Sequence, residues 1–334
     1  MSNDVTGHGT PTPRADGEAG PPRAAEAPAG DLSLPRVWLR LGWLAALIAA
    51  AASVVGLLVP GSIYGQETRV LADQAVAQDV INLLVVVPLL VVLGIGAARG
   101  SVRAYVCWLG CLAFTAYSYA IYAFAIHFGP LFLPWVAVLG LSFYALLGSL
   151  AAVDAAPVRR AFAGRHLPVM AWTLITLSVL FGLLWLREIV PDLLGRQPST
   201  SAAALNLPTN PVHVLDLALF LPAALASGIL LLRRKPIGYS TAPGVLVFMA
   251  LTCLPILITP AVAITRGHDP SWTVLAPLGI VLAISAWVLR HALHNIRPPD
   301  VTTASSPAPP SAIPDPQTVP PRPRPTGSDR PARS

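Results

Sequence analysis

The chain has 334 residues, of which 54% are hydrophobic and only 11% are charged. Soluble globular domains carry charge on about a quarter of their residues, so this composition excludes a soluble globule and indicates a membrane protein. The net charge of +6 lies in short loops and tails without interleaved aromatic residues, which argues against a nucleic-acid partner. The three cysteines, Cys107, Cys111 and Cys253, fall inside apolar runs and match neither a disulfide framework nor a zinc motif.

Both ends of the chain differ in composition from its middle. Residues 1–35 are rich in proline, glycine and alanine and have no apolar core, so we predict a disordered tail and no cleavable signal peptide. Residues 298–334 contain twelve prolines and the run PPRPRP at Pro320–Pro325, which predicts a second disordered tail. The polytopic membrane domain is therefore expected at residues 36–297.

Eight apolar runs have the length of about 20 residues that crosses a hydrocarbon core about 30 Å thick. Backbone groups inside a bilayer have no water to bind, so each run is expected to be helical. The sequence thus predicts an all-α integral membrane protein with eight transmembrane helices. The predicted spans are Leu41–Val59, Gln78–Ala98, Ala104–Ile126, Leu131–Val153, Pro168–Val190, Val212–Leu232, Ala242–Thr265 and Trp272–Leu289.

Basic residues concentrate on alternate connections between these runs. Cytoplasmic loops of membrane proteins are enriched in lysine and arginine. We therefore predict cytoplasmic N- and C-termini in a cell membrane, because the basic residues at the chain ends and in alternate loops lie on one side. That side holds Arg36, Arg40, Arg99, Arg103, Arg159, Arg160, Arg165, Arg233, Arg234, Lys235, Arg290 and Arg297, against Arg69, Arg187, Arg196 and Arg266 on the other.

A shift of 134 residues places the second predicted span over the sixth. Gln78–Arg99 then aligns with Val212–Arg233 without a gap. The shift superposes Pro88 on Pro222, Gly94 on Gly228, Trp38 on Trp172, Gly110 on Gly244 and Phe114 on Phe248.

This register predicts two four-helix repeats, at about 37–153 and 168–293. Chance identity in so narrow an alphabet is the alternative. Four spans are an even number, so the repeats would be parallel, with an axis along the membrane normal.

Two pairs of polar residues interrupt the apolar runs at aligned positions. Asp79 aligns with His213 and Asn82 with Asp216, and each pair has the i, i+3 spacing of one helix face. Asp216 lies six residues past the candidate cap Asn210, so it is predicted to line a wet cavity in the bundle. Asp79 has a second interpretation, stabilisation by the dipole of a helix that begins beside it.

The third and seventh spans add polar groups that could share this pocket. Ser118, Tyr119 and Tyr122 continue a stripe along one face of the third span, and Thr252 stands one turn before Pro255 in the seventh. Ordinary helix packing through small and hydroxyl residues explains the same stripe, so both interpretations stay open. The candidate pocket residues are Asp79, Asn82, Ser118, Tyr119, Tyr122, His213, Asp216 and Thr252.

The predicted outer loops carry more acids than basic groups, which favours a cation or an amine as solute. A transporter-like protein for a small or cationic solute is therefore the first functional hypothesis, with the lipid bilayer as its surroundings. The second is a membrane enzyme or a metal- or haem-binding protein, with His127, His213 and Asp216 as candidate ligands. The third is a sensor or assembly subunit. No nucleotide-binding or hydrolase motif occurs, and no cofactor is assigned.

Overall fold

The computed structural model describes residues 34–162, 165–294 and 296, so nearly all of both predicted tails lies outside the described residues. All regular elements in these ranges are helices, and eight of them are long and apolar enough to cross a membrane. This confirms the predicted class and number of spans. The eight are α1 (Arg36–Leu58), α2 (Arg69–Ala98), α3 (Val102–Ala125), α4 (Phe132–Ala152), α5 (Pro168–Leu194), α6 (Pro211–Leu232), α7 (Pro236–Thr265) and α8 (Leu275–His294).

The largest difference from the predicted bounds is at the start of α2. The helix begins at Arg69, nine residues before the predicted Gln78, with the Thr68 hydroxyl accepting the Leu71 N–H as an N-cap. Hydropathy misses this stretch because RVLADQAVA mixes polar and apolar residues around a helix. Helix α7 likewise begins six residues earlier than predicted, with Pro236 at its first position, where proline costs no hydrogen bond.

Helices α2 and α6 each contain one widened, π-helical turn. These turns cover Asn82–Val86 and Asp216–Phe220, and in each the first carbonyl accepts the N–H of the residue five positions later. A proline follows each turn, and its ring would clash with a carbonyl in a regular helix. Both turns begin at a polar residue, and the two starts are 134 residues apart, the same offset that separates Pro88 from Pro222.

Helix α3 lies at the centre of the described bundle. It packs against α2, α4 and α7, and 78% of its apolar window is buried, compared with 17% for α8. Its contact with α7 is very close at Gly110, where an added Cβ would overlap the carbonyl oxygen of Gly244. One turn further, the rings of Phe114 and Phe248 meet edge to face with centroids 6.1 Å apart.

The first four helices and the last four helices pack in similar pairs. Helix α1 packs against α2 as α5 packs against α6, and the pairs α2–α3 and α3–α4 match α6–α7 and α7–α8. The fourth helices differ, because α4 packs extensively along α1 whereas α8 makes only limited contact with α5.

Candidate functional site

A cavity of about 200 Å³ lies between α2, α3 and α7, with Val212 of α6 at its edge. It occupies the part of these helices that is remote from the basic connections at 99–101 and 233–235. Its wall is mostly apolar. The groups that carry a polar atom in the lining are Gln74, Gln78, Tyr117, Ser118, Tyr122, Thr252 and Thr259.

Asp79 is buried beside this cavity, with 2% of its surface exposed. The Tyr64 hydroxyl donates to Asp79 Oδ2 over 2.6 Å, and the Tyr122 hydroxyl donates to Oδ1 over 3.0 Å. Because α2 begins at Arg69, Asp79 stands in the middle of the helix, so the dipole interpretation, which required a helix start next to it, is wrong.

The donor from Tyr64 does not depend on pH in the ordinary range. Tyr64 lies in the short helix Pro60–Tyr64, outside the spanning helices, and is buried. Burial, with a further contribution from the neighbouring Asp79 charge, raises the pKa of Tyr64 far above its usual value. The phenol therefore stays protonated and available as a donor to the carboxylate.

Asp216 is the second buried acid, with 8% exposure. The Tyr117 hydroxyl donates to Oδ1 and the Trp185 indole N–H donates to Oδ2, both over 2.8 Å. Trp185 was not predicted as a site residue, because an indole within an apolar run carries no polar signal. Tyr117 could have been found, since it lies next to the predicted polar stripe.

Two tyrosines of α3 connect the cavity to these acids. Tyr117 and Tyr122 both line the cavity, and their hydroxyls donate to Asp216 and Asp79, respectively. Within the described ranges, neither carboxylate forms an ion pair with an arginine or lysine. Both acids are thus held by neutral donors on opposite sides of one helix.

Asn82 and Tyr119 form a hydrogen-bond network that faces α1. The Asn82 amide accepts from Gln78 Nε2 over 2.8 Å and donates to Ser53 Oγ over 3.4 Å. It also donates to the Tyr119 hydroxyl over 3.5 Å, and that hydroxyl donates to the Ala49 carbonyl over 3.4 Å. These two predicted residues therefore connect α1, α2 and α3 and do not line the cavity.

The candidate metal ligands have different surroundings. His127 is partly exposed, with Nδ1 3.0 Å from both oxygens of Glu67. His213 is buried with its ring 4.6 Å from that of Trp185, and its Nε2 lies 3.8 Å from Glu188 without a hydrogen bond. Among the described residues, no three His, Cys, Asp or Glu side chains are arranged to hold a metal ion.

Three predicted residues, Ser118, Tyr122 and Thr252, line the cavity directly. The two acids reach it through hydroxyl groups, whereas Asn82, Tyr119 and His213 are not part of its lining. Thr252 gives its hydroxyl to the Phe248 carbonyl of its own helix over 2.9 Å, which leaves an oxygen lone pair as the group that it can offer.

Comparison with protein-family models, curated proteins and solved structures found no match to this chain. The coarse class rests on the eight apolar helices, which are those of a multi-pass membrane protein. Any more specific function has to be argued from the geometry of the cavity and the two acids.

Proposed function

We propose that this chain is a transporter-like protein that carries a small cationic solute through the cavity beside α3. One observation carries the proposal: two tyrosines that line the cavity each bind a different buried carboxylate. A tyrosine hydroxyl group therefore lies between a solute in the cavity and each of the two acids. Its arrival can rearrange both hydrogen bonds.

The energy of the acids supports a cationic solute. A carboxylate placed in the middle of a membrane costs about 2.5 to 3.5 kcal/mol on insertion scales. Hydrogen bonds to a charged group return about 1.5 to 3 kcal/mol each, and Asp79 and Asp216 have two apiece. These bonds offset the cost of a charge, and no arginine or lysine of the described residues pairs with either acid, so each acid can bind a proton or an organic cation.

The walls favour a compact organic cation over a hydrated metal ion. Phe114, Tyr117 and Tyr122 present aromatic rings to the cavity, and such rings attract cations by about 0.5 to 2 kcal/mol. A volume of about 200 Å³ lies below the range of about 300 to 1,000 Å³ that is usual for drug-sized ligands. We therefore propose a small ammonium compound as the solute class.

Two parallel four-helix repeats underlie this arrangement in our proposal. Gly110 contacts Gly244 and Phe114 contacts Phe248, each 134 residues apart, which is the pattern of residues beside a two-fold axis. The matched π-helical turns support the same register. The cavity then lies next to the axis, and each repeat contributes one acid, as in transporters that work by motion of one repeat against the other.

The distribution of basic residues in the loops supports an orientation of the protein in the membrane. We propose that the termini and the basic connections are cytoplasmic, in accordance with the positive-inside rule. The cavity then lies in the outer part of the bundle in a cell membrane, and the arginine-poor connections surround its approach.

Transport of permanently charged ions tests the proposal. Purified protein is reconstituted into liposomes with an acidic interior that contains a pH-sensitive dye, and tetramethylammonium or benzyltrimethylammonium is added outside. We expect the wild type to exchange the ion for internal protons, and Asp79→Asn and Asp216→Asn to slow this exchange at least about tenfold, the equivalent of 1.4 kcal/mol.

Asp154→Asn is the matched control, because Asp154 caps a short helix outside the cavity and asparagine caps equally well. This variant should exchange at the wild-type rate. A wild type that moves neither ion, or folded acid variants with undiminished exchange, would contradict the proposed function.

A further inference from the structure

A cluster of three ionisable side chains around the buried Asp73 joins the arginine-poor ends of α2 and α7. Asp73 Oδ1 lies 2.8 Å from Arg266 Nε, and Asp73 Oδ2 lies 2.7 Å from His268 Nδ1. The Asp73 side chain is only 5% exposed. The Arg266 Nε–H is not aligned for a hydrogen bond, so this contact is an ion pair by distance, whereas the histidine contact is also a hydrogen bond.

The end of α7 is built to present both partners. The His268 N–H donates to the Ala263 carbonyl over 2.8 Å, and the Gly267 N–H donates to the Ile264 carbonyl over 3.0 Å. This pair of bonds is a Schellman motif, and Gly267 provides the required left-handed residue with φ of +73°. The reversal places Arg266 and His268 on either side of one carboxylate.

Asp73 and Arg266 also lie at the favourable ends of their helices. Asp73 stands in the second turn of α2, near the positive end of the helix dipole, whereas Arg266 and His268 follow the negative end of α7. The cluster therefore stabilises the contact between α2 and α7.

This cluster stands at one end of the cavity. Leu71 and Gln74, which flank Asp73 in sequence, line the cavity from α2. On α7 the last lining residue is Thr259, seven residues before Arg266, which is about 10 Å along a helix. The cluster thus links the two helices that face each other across the cavity, on the side away from the basic connections.

Given the transport role proposed above, we infer that Asp73, Arg266 and His268 form the gate that closes the cavity toward the arginine-poor face. The gate connects a helix of the first half to a helix of the second, so any relative motion that opens this face must separate Asp73 from its partners. The positions 134 residues away are Leu207, Phe132 and Pro134, which are uncharged, so the gate is on one side of the bundle only.

Thiol labelling tests the gate without any solute. Ser118→Cys places a thiol in the cavity, and a membrane-impermeant, positively charged methanethiosulfonate reports how fast reagent enters from the arginine-poor face. The wild-type chain, with its three buried native cysteines, supplies the blank, and the Ser118→Cys protein is the parent into which the other changes are introduced. We expect Asp73→Asn to raise the labelling rate at least about tenfold, the equivalent of 1.4 kcal/mol, because asparagine removes the negative charge that holds Arg266 of α7 against α2.

Glu67→Gln is the matched control. Glu67 also holds a histidine, His127, but that pair joins two connections of the first half and does not bridge the cavity. Its labelling rate should stay within about twofold of that of Ser118→Cys, because neither residue belongs to α7 and glutamine keeps an oxygen that accepts from the His127 N–H.

A charge exchange keeps the test decisive if Asp73→Asn does not fold. Arg266→Asp should label fast, and Asp73→Arg combined with Arg266→Asp should return the rate toward that of the parent. Folded single variants that label at the parental rate would overturn the gate. Since no transport is measured, this outcome is independent of failure of the proposed function.

Discussion

The two halves of the bundle differ most at their fourth helices. In the first half, α4 packs along α1, and Gly148 lies so close to Trp38 that an added Cβ would overlap its ring. In the second half, Trp172 and Leu282 lie 134 residues after Trp38 and Gly148, and Trp172 is 58% exposed. One glycine therefore permits close packing in one half, and its replacement by a bulky residue leaves α8 at the periphery.

The halves also hold their acids differently. The first half has its acid at position 79 and an amide at 82, whereas the second has a histidine at 213 and its acid at 216. Each acid accepts one hydrogen bond from α3, through Tyr122 or Tyr117. Helices α2 and α6 thus each supply one carboxylate, and at the 134-residue offset the two acids differ by three residues, about one helical turn.

The largest effect that would break this comparison is expected at the crossing of α3 and α7. Gly110→Ala would press a methyl group against backbone, so it should reduce the free energy of unfolding by about 3 kcal/mol. Gly244→Ala should cost less, because its Cβ would lie 3.1 Å from the nearest atom. Thermal unfolding in detergent measures both. Gly140→Ala, with no neighbour within 4 Å, is the control, and three equal effects would contradict the crossing.

The next largest effect is a difference in stability that reports how tightly the fourth helix of each half is packed. Trp38→Ala removes a ring packed between α1 and α4 and should cost about 2 kcal/mol, whereas Trp172→Ala should change stability by less than about 0.5 kcal/mol. Unfolding midpoints of the two variants, in the same detergent, provide the comparison. If Trp172→Ala were the more damaging change, the second half would be packed as tightly as the first.

A smaller effect is expected from the tyrosines. Tyr117→Phe and Tyr122→Phe each remove one donor from a buried acid, so each should cost about 1 to 2 kcal/mol. Tyr144→Phe is the control, since Tyr144 is largely exposed on α4. A double-mutant cycle with Asp79→Asn or Asp216→Asn should show coupling for the matching pair only. Coupling to the wrong acid would contradict the assignment of one tyrosine to each half.

The smallest effect is expected at Glu188, which contacts His213 near the second acid, Asp216. His213 Nε2 lies 3.8 Å from Glu188, which is a long contact, so Glu188→Gln should change the free energy of unfolding by less than about 0.5 kcal/mol. A loss above 1 kcal/mol in chemical unfolding would show that this pair is part of the site.

The sequence was sufficient for the number of spans because the thickness of a bilayer sets a length that each apolar run must reach. It was not sufficient for the start of α2, where polar residues continue a helix beyond its apolar part. The 134-residue shift superposes Pro88 on Pro222, and the structure has a π-helical turn just before each proline. Whether a proline kinks or widens a helix depends on its neighbours, which the sequence does not show.

The acids and their tyrosine donors on α3 could be located from the sequence, but their other two partners could not. Asp216 is conspicuous in an apolar run. Trp185 becomes the partner of Asp216, and Tyr64 that of Asp79, only through tertiary packing. The Asp73 cluster was missed for the same reason, since Asp73 lies 193 and 195 residues before Arg266 and His268 and meets them only when α2 lies against α7.

The central claim is that solute passes through the cavity beside α3, and a block at Ser118 tests it most directly. Ser118→Phe fills the cavity from its wall, and Phe124→Trp on the exposed face of the same helix is the matched control. We expect the first variant to fold and to lose benzyltrimethylammonium exchange by at least about tenfold, while the second keeps it. Undiminished exchange by folded Ser118→Phe protein would contradict the claim.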